Sequence, residues 1–293
     1  MKLFLYPQAQ CIGLLLADGR VCGFDYVEEG EVDFCRVNRL ELRKHPKGYE
    51  VYDLEKRLFY NFEYFNRVAN SYLLTSVTDL DGRSIRLSYE NGVLATLTDA
   101  CGRRITVRHT DAGFIESLHL RMPDGSSEQL VRYSYDGQGD MVGITDALRQ
   151  TTGIHYEDHR MVAKTDRNGY TFCWEYDKVG RCVHTRGADG DQEGWISYFP
   201  EQGYNTVRDA CGAESTYRYD ANQLVRSVTD ALGNTTRYDY TKEMEPYREI
   251  DPEGRITGWH YDGRGNQTGT TYPDGTLSMR VFDEQDLMIL HYH

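Results

Sequence analysis

The stretch ADGDQEGW, residues 188–195, sets Asp189, Asp191 and Glu193 at alternate positions, a spacing from which oxygen ligands could converge on a calcium ion. It lacks the bidentate Glu that closes such a coordination sphere at the far end of a calcium loop, so it reads as a solvated turn. The nine histidines are scattered without an H-E-x-x-H or comparable metal spacing. The cysteines, Cys11, Cys22, Cys35, Cys101, Cys173, Cys182 and Cys211, are odd in number and form no C-x-x-C pair, which argues against a disulfide framework and a zinc site. Cys101, Cys173, Cys182 and Cys211 sit in strand-like or turn-like surroundings, where a reduced Cys acts as a small hydrophobe, and none has the flanking signature of a thiol enzyme. A hydrolase reading has only Asp and His content behind it, because no G-x-S-x-G nucleophile motif is present. The densest stretch, GWHYDGRGNQTGTTYPDGT (258–276), holds a Tyr-Asp pair that recurs in many other places. A pair present many times cannot be the one activated constellation that catalysis requires. The chain therefore reads as a non-enzyme with no catalytic residue, no cofactor and no metal.

That recurrence leads to the elements that carry it. An aromatic or aromatic-like position falls at Tyr89, His109, Tyr135, Tyr156, Tyr176, Tyr198, Tyr219, Tyr240, Tyr261 and Phe282. Apart from one longer interval, between His109 and Tyr135, the step from each to the next is about 21 residues, and so steady a period is the mark of a repeat architecture. The long interval contains RMPDGSSEQ (121–129), a polar insertion of the kind a turn tolerates. An Asp followed three residues later by Gly opens most units, at Gly82, Gly102, Gly169, Gly212, Gly233 and Gly254; a Tyr closes the first strand, often followed by Asp, as at Asp136, Asp177, Asp220 and Asp262. In IRLSYE, Ile85, Leu87 and Tyr89 share one face and Arg86, Ser88 and Glu90 the other. The hydrophobic period is 2, and no window shows a convincing 3.6-residue pattern, so the chain should be overwhelmingly β. Each unit reads as a hairpin that mainly contacts its neighbours, with same-register aromatics forming cross-strand ladders.

Charge and hydropathy narrow the function classes. With 33 Lys and Arg against 46 Asp and Glu, the net charge is -13, the wrong sign for a nucleic-acid partner. The apolar run CIGLLLADG is far shorter than the roughly 20 residues of a membrane helix. Pro7, Gln8 and Gln10 interrupt any signal-peptide core in MKLFLYPQAQ, so synthesis in the cytoplasm is expected.

The Y-D-x-x-G-x-L-x-x-x-x-D-x-x-G frame resembles that of the RHS/YD-repeat proteins, which include bacterial Rhs polymorphic toxins, the shell component of insecticidal toxin complexes, and teneurins. The matching segments are YDGQGDMVGITDALRQ (135–150), YDKVGRCVHT (176–185), YDANQLVRSVTDALGN (219–234) and YDGRGNQTGTTYPDG (261–275). The segment GYEVYDLEKRLFYNFEY (48–64) resembles the lead-in of bacterial Rhs cores. The resemblance divides the chain into a β-rich lead-in, residues 1–78, and a repeat array, residues 79–293. It implies an all-β, spiralling sheet forming part of a hollow cocoon, whose role is to enclose a toxin or effector domain for delivery in interbacterial competition by a dedicated secretion system. The chain departs from the family in showing no C-terminal signature with a self-cleaving Asp, since the Asp-Pro of IDPEG (250–254) fits an ordinary turn; no toxin-domain or spike-domain pattern is read either. The rival reading is a carbohydrate-binding or cell-surface module, because aromatic ladders can also stack on sugar rings.

MRVFDEQDLMILHYH (279–293) reads as one closing strand whose Leu287, Met288, Ile289 and Leu290 lack a following repeat. Its unpaired edge is expected either to self-associate or to pair with a further RHS-repeat polypeptide.

Overall fold

The computed structural model describes residues 1–67 and 70–292. Val68 and Ala69 of the lead-in and His293 at the end of the expected array lie outside the described residues. The regular secondary structure is almost entirely antiparallel strand, as the period of 2 requires; apart from two single 3-10 turns at Pro7–Ala9 and Pro200–Gln202, no helix occurs among the described residues. Two compact units are formed, the first from Met1–Gln129 with Asp262–Asn266 and Phe282–Ile289, the second from the rest of the described chain.

The first unit holds the hydrophobic core. Strands β1 (Lys2–Tyr6), β2 (Cys11–Leu15), β3 (Val21–Asp25), β8 (Tyr64–Asn66) and β9 (Ser71–Leu73) make a five-stranded sheet in the order β3-β2-β1-β9-β8. A second sheet begins with β4 (Val32–Cys35), β5 (Leu40–His45), β6 (Gly48–Asp53) and β7 (Leu58–Phe62), and β7 pairs with β10 (Ser76–Asp79), from which the first repeat hairpins continue. Leu3, Ile12, Leu14 and Phe24 from the first sheet join Leu40, Leu42, Tyr49, Val51, Tyr60 and Phe62 from the second in one buried cluster. Strand alternation produces this two-layer packing, since Leu40 and Leu42 in β5 point the same way. Each fully buried member, such as Leu3 or Phe62, contributes about 1.5–3 kcal/mol.

The second unit is built differently. Strands from Ser127–Tyr135 to Leu277–Phe282 follow one another as a meander in which each pairs antiparallel with the next. Ile154 is its one buried large hydrophobe among the described residues; most of its strand side chains are half-buried. A single layer has no second sheet to bury against, so stabilisation comes from lateral contacts along the ladders.

Both units turn the chain in the same way. At Asp230 the backbone N–H donates to Asn234 O at 2.9 Å and Gly233 N–H donates to Asp230 O at 3.0 Å, closing a three-residue loop. The Asp230 Oδ1 accepts from the N–H of Leu232 at 2.9 Å and of Asn234 at 2.8 Å, satisfying the donors that the turn leaves free. The Asp of the Tyr-Asp pair does the same work: Asp177 Oδ1 accepts from Val179 and Arg181, and Asp220 Oδ1 from Asn222 and Leu224. The residue three after the turn's Asp is left-handed, with φ +86 at Gly233, but φ 64 is held by Gln223 in the corresponding place. A non-glycine there carries about 1–2 kcal/mol of steric cost. Gln223→Gly should therefore leave the chain as stable or up to about 1 kcal/mol more stable, whereas Gly233→Ala should cost about 1 kcal/mol or more. Urea midpoints of the two variants, read by tryptophan fluorescence, separate these outcomes.

The same turn corrects the reading of 279–293 as one strand. The strands are Leu277–Phe282 and Met288–Tyr292, separated by a turn in which Asp283 Oδ1 accepts from the N–H groups of Gln285 and Leu287 at 2.9 Å each. Asp286, at φ 61, stands where other turns have Gly, and the missing Gly hides this turn from a search for D-x-x-G. The unpaired edge expected there is not found: Met288 and Ile289, in the same unit as β4, open a strand that neighbours β4 in the hydrogen-bonded strand order, although Met288, Ile289 and Leu290 keep exposed side chains, at 51%, 62% and 52%.

Candidate functional site

The tyrosines of the repeat sit at β-bulges. Register shifts fall immediately before Tyr89, Tyr135, Tyr156, Tyr176, Tyr219, Tyr240 and Tyr261, and before His109. Each bulge adds a residue to one strand and re-aims the side chain beside it. Tyr198 lies in an unshifted ladder, and the Pro200–Gln202 turn follows it instead of a Tyr-Asp turn. Hydroxyls at these positions reach back to the preceding strand or its approach: Tyr89 donates to Leu74 O, Tyr176 to Met161 O, Tyr240 to Val225 O and Tyr261 to Pro246 O, and Tyr198 makes the same bond to Cys182 O without a bulge, all at 2.7–2.9 Å. Tyr219 donates instead to Asn205 Oδ1 at 3.4 Å. Burial pushes the hydroxyls of Tyr89, Tyr176, Tyr198, Tyr240 and Tyr261 above their ordinary value, so they remain protonated donors.

Arginines cover several of these rings. Arg160 lies over Tyr176, Arg181 over Tyr198 and Arg226 over Tyr240, at 6.0, 4.5 and 5.2 Å from the ring centroids. Arg181 and Arg226 also pair with the turn carboxylates Asp177 and Asp220. At the exposed turns, Arg103 and Arg255 hold the carboxyls of Asp99 and Asp251 below their ordinary range, and Asn234 does so for Asp230. Gly82, Gly102, Gly169, Gly212, Gly233 and Gly254 all occupy left-handed positions in such turns, and Asp136 and Asp262 accept turn N–H groups as Asp177 and Asp220 do. The sequence marks turn and ring; it does not show that the hydroxyl closes the strand behind it, because that bond joins groups on opposite sides of a whole hairpin.

One open depression of about 680 Å³ in the second unit is lined by Glu175, His184, Trp195, Tyr198, Arg208 and Glu214, among others. His184 stacks on Trp195 with centroids 5.0 Å apart and planes 8° apart, and Arg208 lies 4.3 Å from the centroid of the same ring. The register places His184, Trp195 and Arg208 side by side on three successive strands, so Trp195 is flanked from both directions. Of the acidic stretch read as a partial calcium loop, Glu193 instead bonds His184 Nε2 at 2.9 Å and the backbone O of Asp191 accepts from Gly187. Among the described residues no group of three or more His, Cys, Asp or Glu is arranged to hold a metal ion, and no helix is long and apolar enough to cross a membrane.

The first unit contains a buried polar cluster that sequence patterns do not announce. Arg264 Nε lies 3.0 and 2.9 Å from the two carboxylate oxygens of Asp286, its Nη2 2.8 Å from Oδ2, and its Nη1 3.0 Å from Glu41 Oε2. Asn266 Nδ2 donates to Asp286 Oδ1 at 2.6 Å, and Arg39 Nη2 donates to Asn266 Oδ1. Arg36 and Arg39 also donate to the carbonyls of Gly263 and Gly265 at 3.1 Å, while Arg43 pairs with Glu41. Glu41, Asn266 and Asp286 are 5%, 2% and 7% exposed. Together these bonds fasten the turns 262–266 and 283–286 to β5 and the loop before it. The one signal in the sequence is negative: Asp286 breaks the D-x-x-G pattern.

Residues 248–277 match the family model RHS Repeat. The chain is 26% identical over 283 residues to "Probable deoxyribonuclease RhsB" of Dickeya dadantii, covering 92% of this chain and 18% of that protein. It is 28% identical over 223 residues to "Toxin protein Tse5" of Pseudomonas aeruginosa, covering 74% of this chain and 15% of that protein. It is 27% identical over 217 residues to "Double-stranded DNA deaminase toxin A" of Burkholderia cenocepacia, covering 70% and 15%. The chain thus spans less than a fifth of the length of these curated relatives. Among solved structures, the TcdB2-TccC3-Cdc42 crystal structure aligns over 95% of this chain and 16% of that one, with a TM-score of 0.51 and 12% identity. The resemblance to the RHS/YD-repeat proteins holds, and the fold is the hairpin array that it implies.

Proposed function

We propose that this chain is a wall segment of an RHS-repeat shell that encloses a toxin or effector domain for delivery in interbacterial competition. The observation that carries the reading is the single-layer sheet of the second unit, fastened strand to strand by tyrosine hydroxyls and Asp turns in place of a core. Such a sheet extends by adding hairpins, each stabilised by its neighbours, which is what a container wall needs. The similarity to toxin proteins by name and to the TcdB2-TccC3-Cdc42 fold supports it. On this reading the chain is not itself an enzyme. Its partners are the enclosed domain and further RHS-repeat polypeptide. The protein is made in the cytoplasm and then exported. A sugar-binding module has less support, because Trp195, the indole in the open depression, is already flanked by His184 and Arg208.

The test is limited proteolysis of the product of the whole reading frame that carries these residues. The segment beyond the repeats should resist trypsin at least about tenfold longer than the same segment expressed alone, a protection that requires opening of the fold before cleavage. Equal digestion rates would overturn the shell reading. Selective binding on a glycan array would favour the rival.

A further inference from the structure

Two of the seven cysteines are brought together by the fold. Cys22 lies in β3 of the five-stranded sheet and is 2% exposed, and Cys35 ends β4 of the other sheet and is half-buried. The side chain of Asn38 joins them: its Nδ2 is 3.4 Å from Cys22 Sγ and 3.3 Å from Cys35 Sγ. One amide nitrogen within reach of both sulfurs places the two thiols side by side, across the junction between the two sheets.

We propose that Cys22 and Cys35 are a thiol pair that closes to an intramolecular disulfide when the protein meets a small-molecule disulfide such as oxidised glutathione. Their unequal surroundings assign the roles. The hydrogen bond from Cys22, reinforced by Asn38, pushes the Cys35 thiol down to about 5, and the same contact together with burial pushes Cys22 up. Cys35 is thus the thiolate and the accessible sulfur, and the thiolate is the attacking species. It attacks one sulfur of oxidised glutathione, that S–S bond breaks, and one glutathione leaves as its thiolate. Cys22 then gives up its proton and attacks the Cys35 sulfur, expelling the second glutathione. Two protein thiols are oxidised, and one glutathione disulfide is reduced to two thiols. The bridge would tie β3 to β4 and so fix the five-stranded sheet against the repeat sheet. Its formation does not depend on the shell reading.

The experiment treats the folded full chain with oxidised glutathione, blocks remaining thiols with iodoacetamide, and maps the bridges by peptide mass spectrometry. The expected result is a dominant Cys22–Cys35 linkage and a melting temperature raised by about 5 °C, the scale expected for a crosslink closing a short loop in a domain of this size. In Cys22→Ala the reaction should stop with glutathione attached to Cys35. In Cys35→Ser, Cys22 should stay unmodified because it is buried. The same mapping in urea should lose the preference. Modification confined to the exposed Cys101 and Cys211, or a Cys22–Cys35 yield no higher in the native chain than in urea, would overturn the proposal.

Discussion

Asp286→Ala should destabilise the first unit by about 3 kcal/mol, the lower end of what breaking a buried ion pair costs. The side chain of Asp286 is 2% exposed and takes three contacts from Arg264 and one from Asn266. Removing it leaves a guanidinium facing Glu41 alone and an amide donor without its short bond. The low end of the range applies because Arg264 is 36% exposed and part of its charge can be rehydrated. Asp286→Gly offers a sharper form of the experiment. Glycine relieves the left-handed backbone at φ 61 yet removes the carboxylate, so a turn-only role predicts a gain in stability and a role in the cluster predicts a loss. The loss is expected. Arg83→Ala, which removes a guanidinium paired at an exposed turn with Asp79 and Asp81, should cost little, because solvent screens that pair. Hydrogen exchange over residues 32–53 reads the effect where it occurs; equal protection in Asp286→Ala and Arg83→Ala would show that the cluster holds nothing in place.

Tyr240→Ala is expected to cost about 2–3 kcal/mol, somewhat below the range for truncating a fully buried aromatic, because the ring is only half-buried in a single-layer sheet. Three losses combine. The ring no longer fills its ladder position after the bulge at Asp239, the carbonyl of Val225 loses its partner at 2.9 Å, and Arg226 loses the face it covers at 5.2 Å. Tyr240→Phe separates the terms by removing only the hydroxyl, at about 1 kcal/mol. Urea unfolding followed by tryptophan fluorescence reports on this unit, since Trp174, Trp195 and Trp259 all lie in it. If Tyr240→Phe cost as much as Tyr240→Ala, the hydroxyl bond alone would hold the strands; if it cost nothing, the ring alone would.

The faces of the strands were legible because alternation is local. Leu87 and Tyr89 are half-buried while Arg86, Ser88 and Glu90 are exposed, as the period of 2 in IRLSYE requires, but Ile85, expected on the same face as Leu87, is 48% exposed near the start of its strand. Turns with Asp and Gly were legible for the same reason: all the atoms that make them lie within one short loop. The turn at Asp283 was not, because Asp286 replaces the Gly that marks the others and retains its place through bonds to Arg264 and Asn266, which belong to a different turn. Arg218 shows the same limit on a single side chain. Arg218 is exposed, and nothing near it in the chain shows that its guanidinium stacks 4.9 Å above Tyr204 on the neighbouring strand.

By itself, then, the sequence determined the all-β class, the repeat period, the hairpin and its turn chemistry, and the resemblance to RHS repeats. Each of these depends on residues close together in the chain, where backbone sterics and side-chain alternation act directly. Only the tertiary structure decided how tyrosine hydroxyls close the strands behind them, which carboxylate holds Arg264, and which two of seven cysteines meet at Asn38. Those outcomes depend on groups brought together across β-bulges, between sheets, or from opposite ends of the chain, as Glu41 and Arg264 are. The energy that selects among such distant pairings comes from desolvation and burial that exist only once the chain has folded.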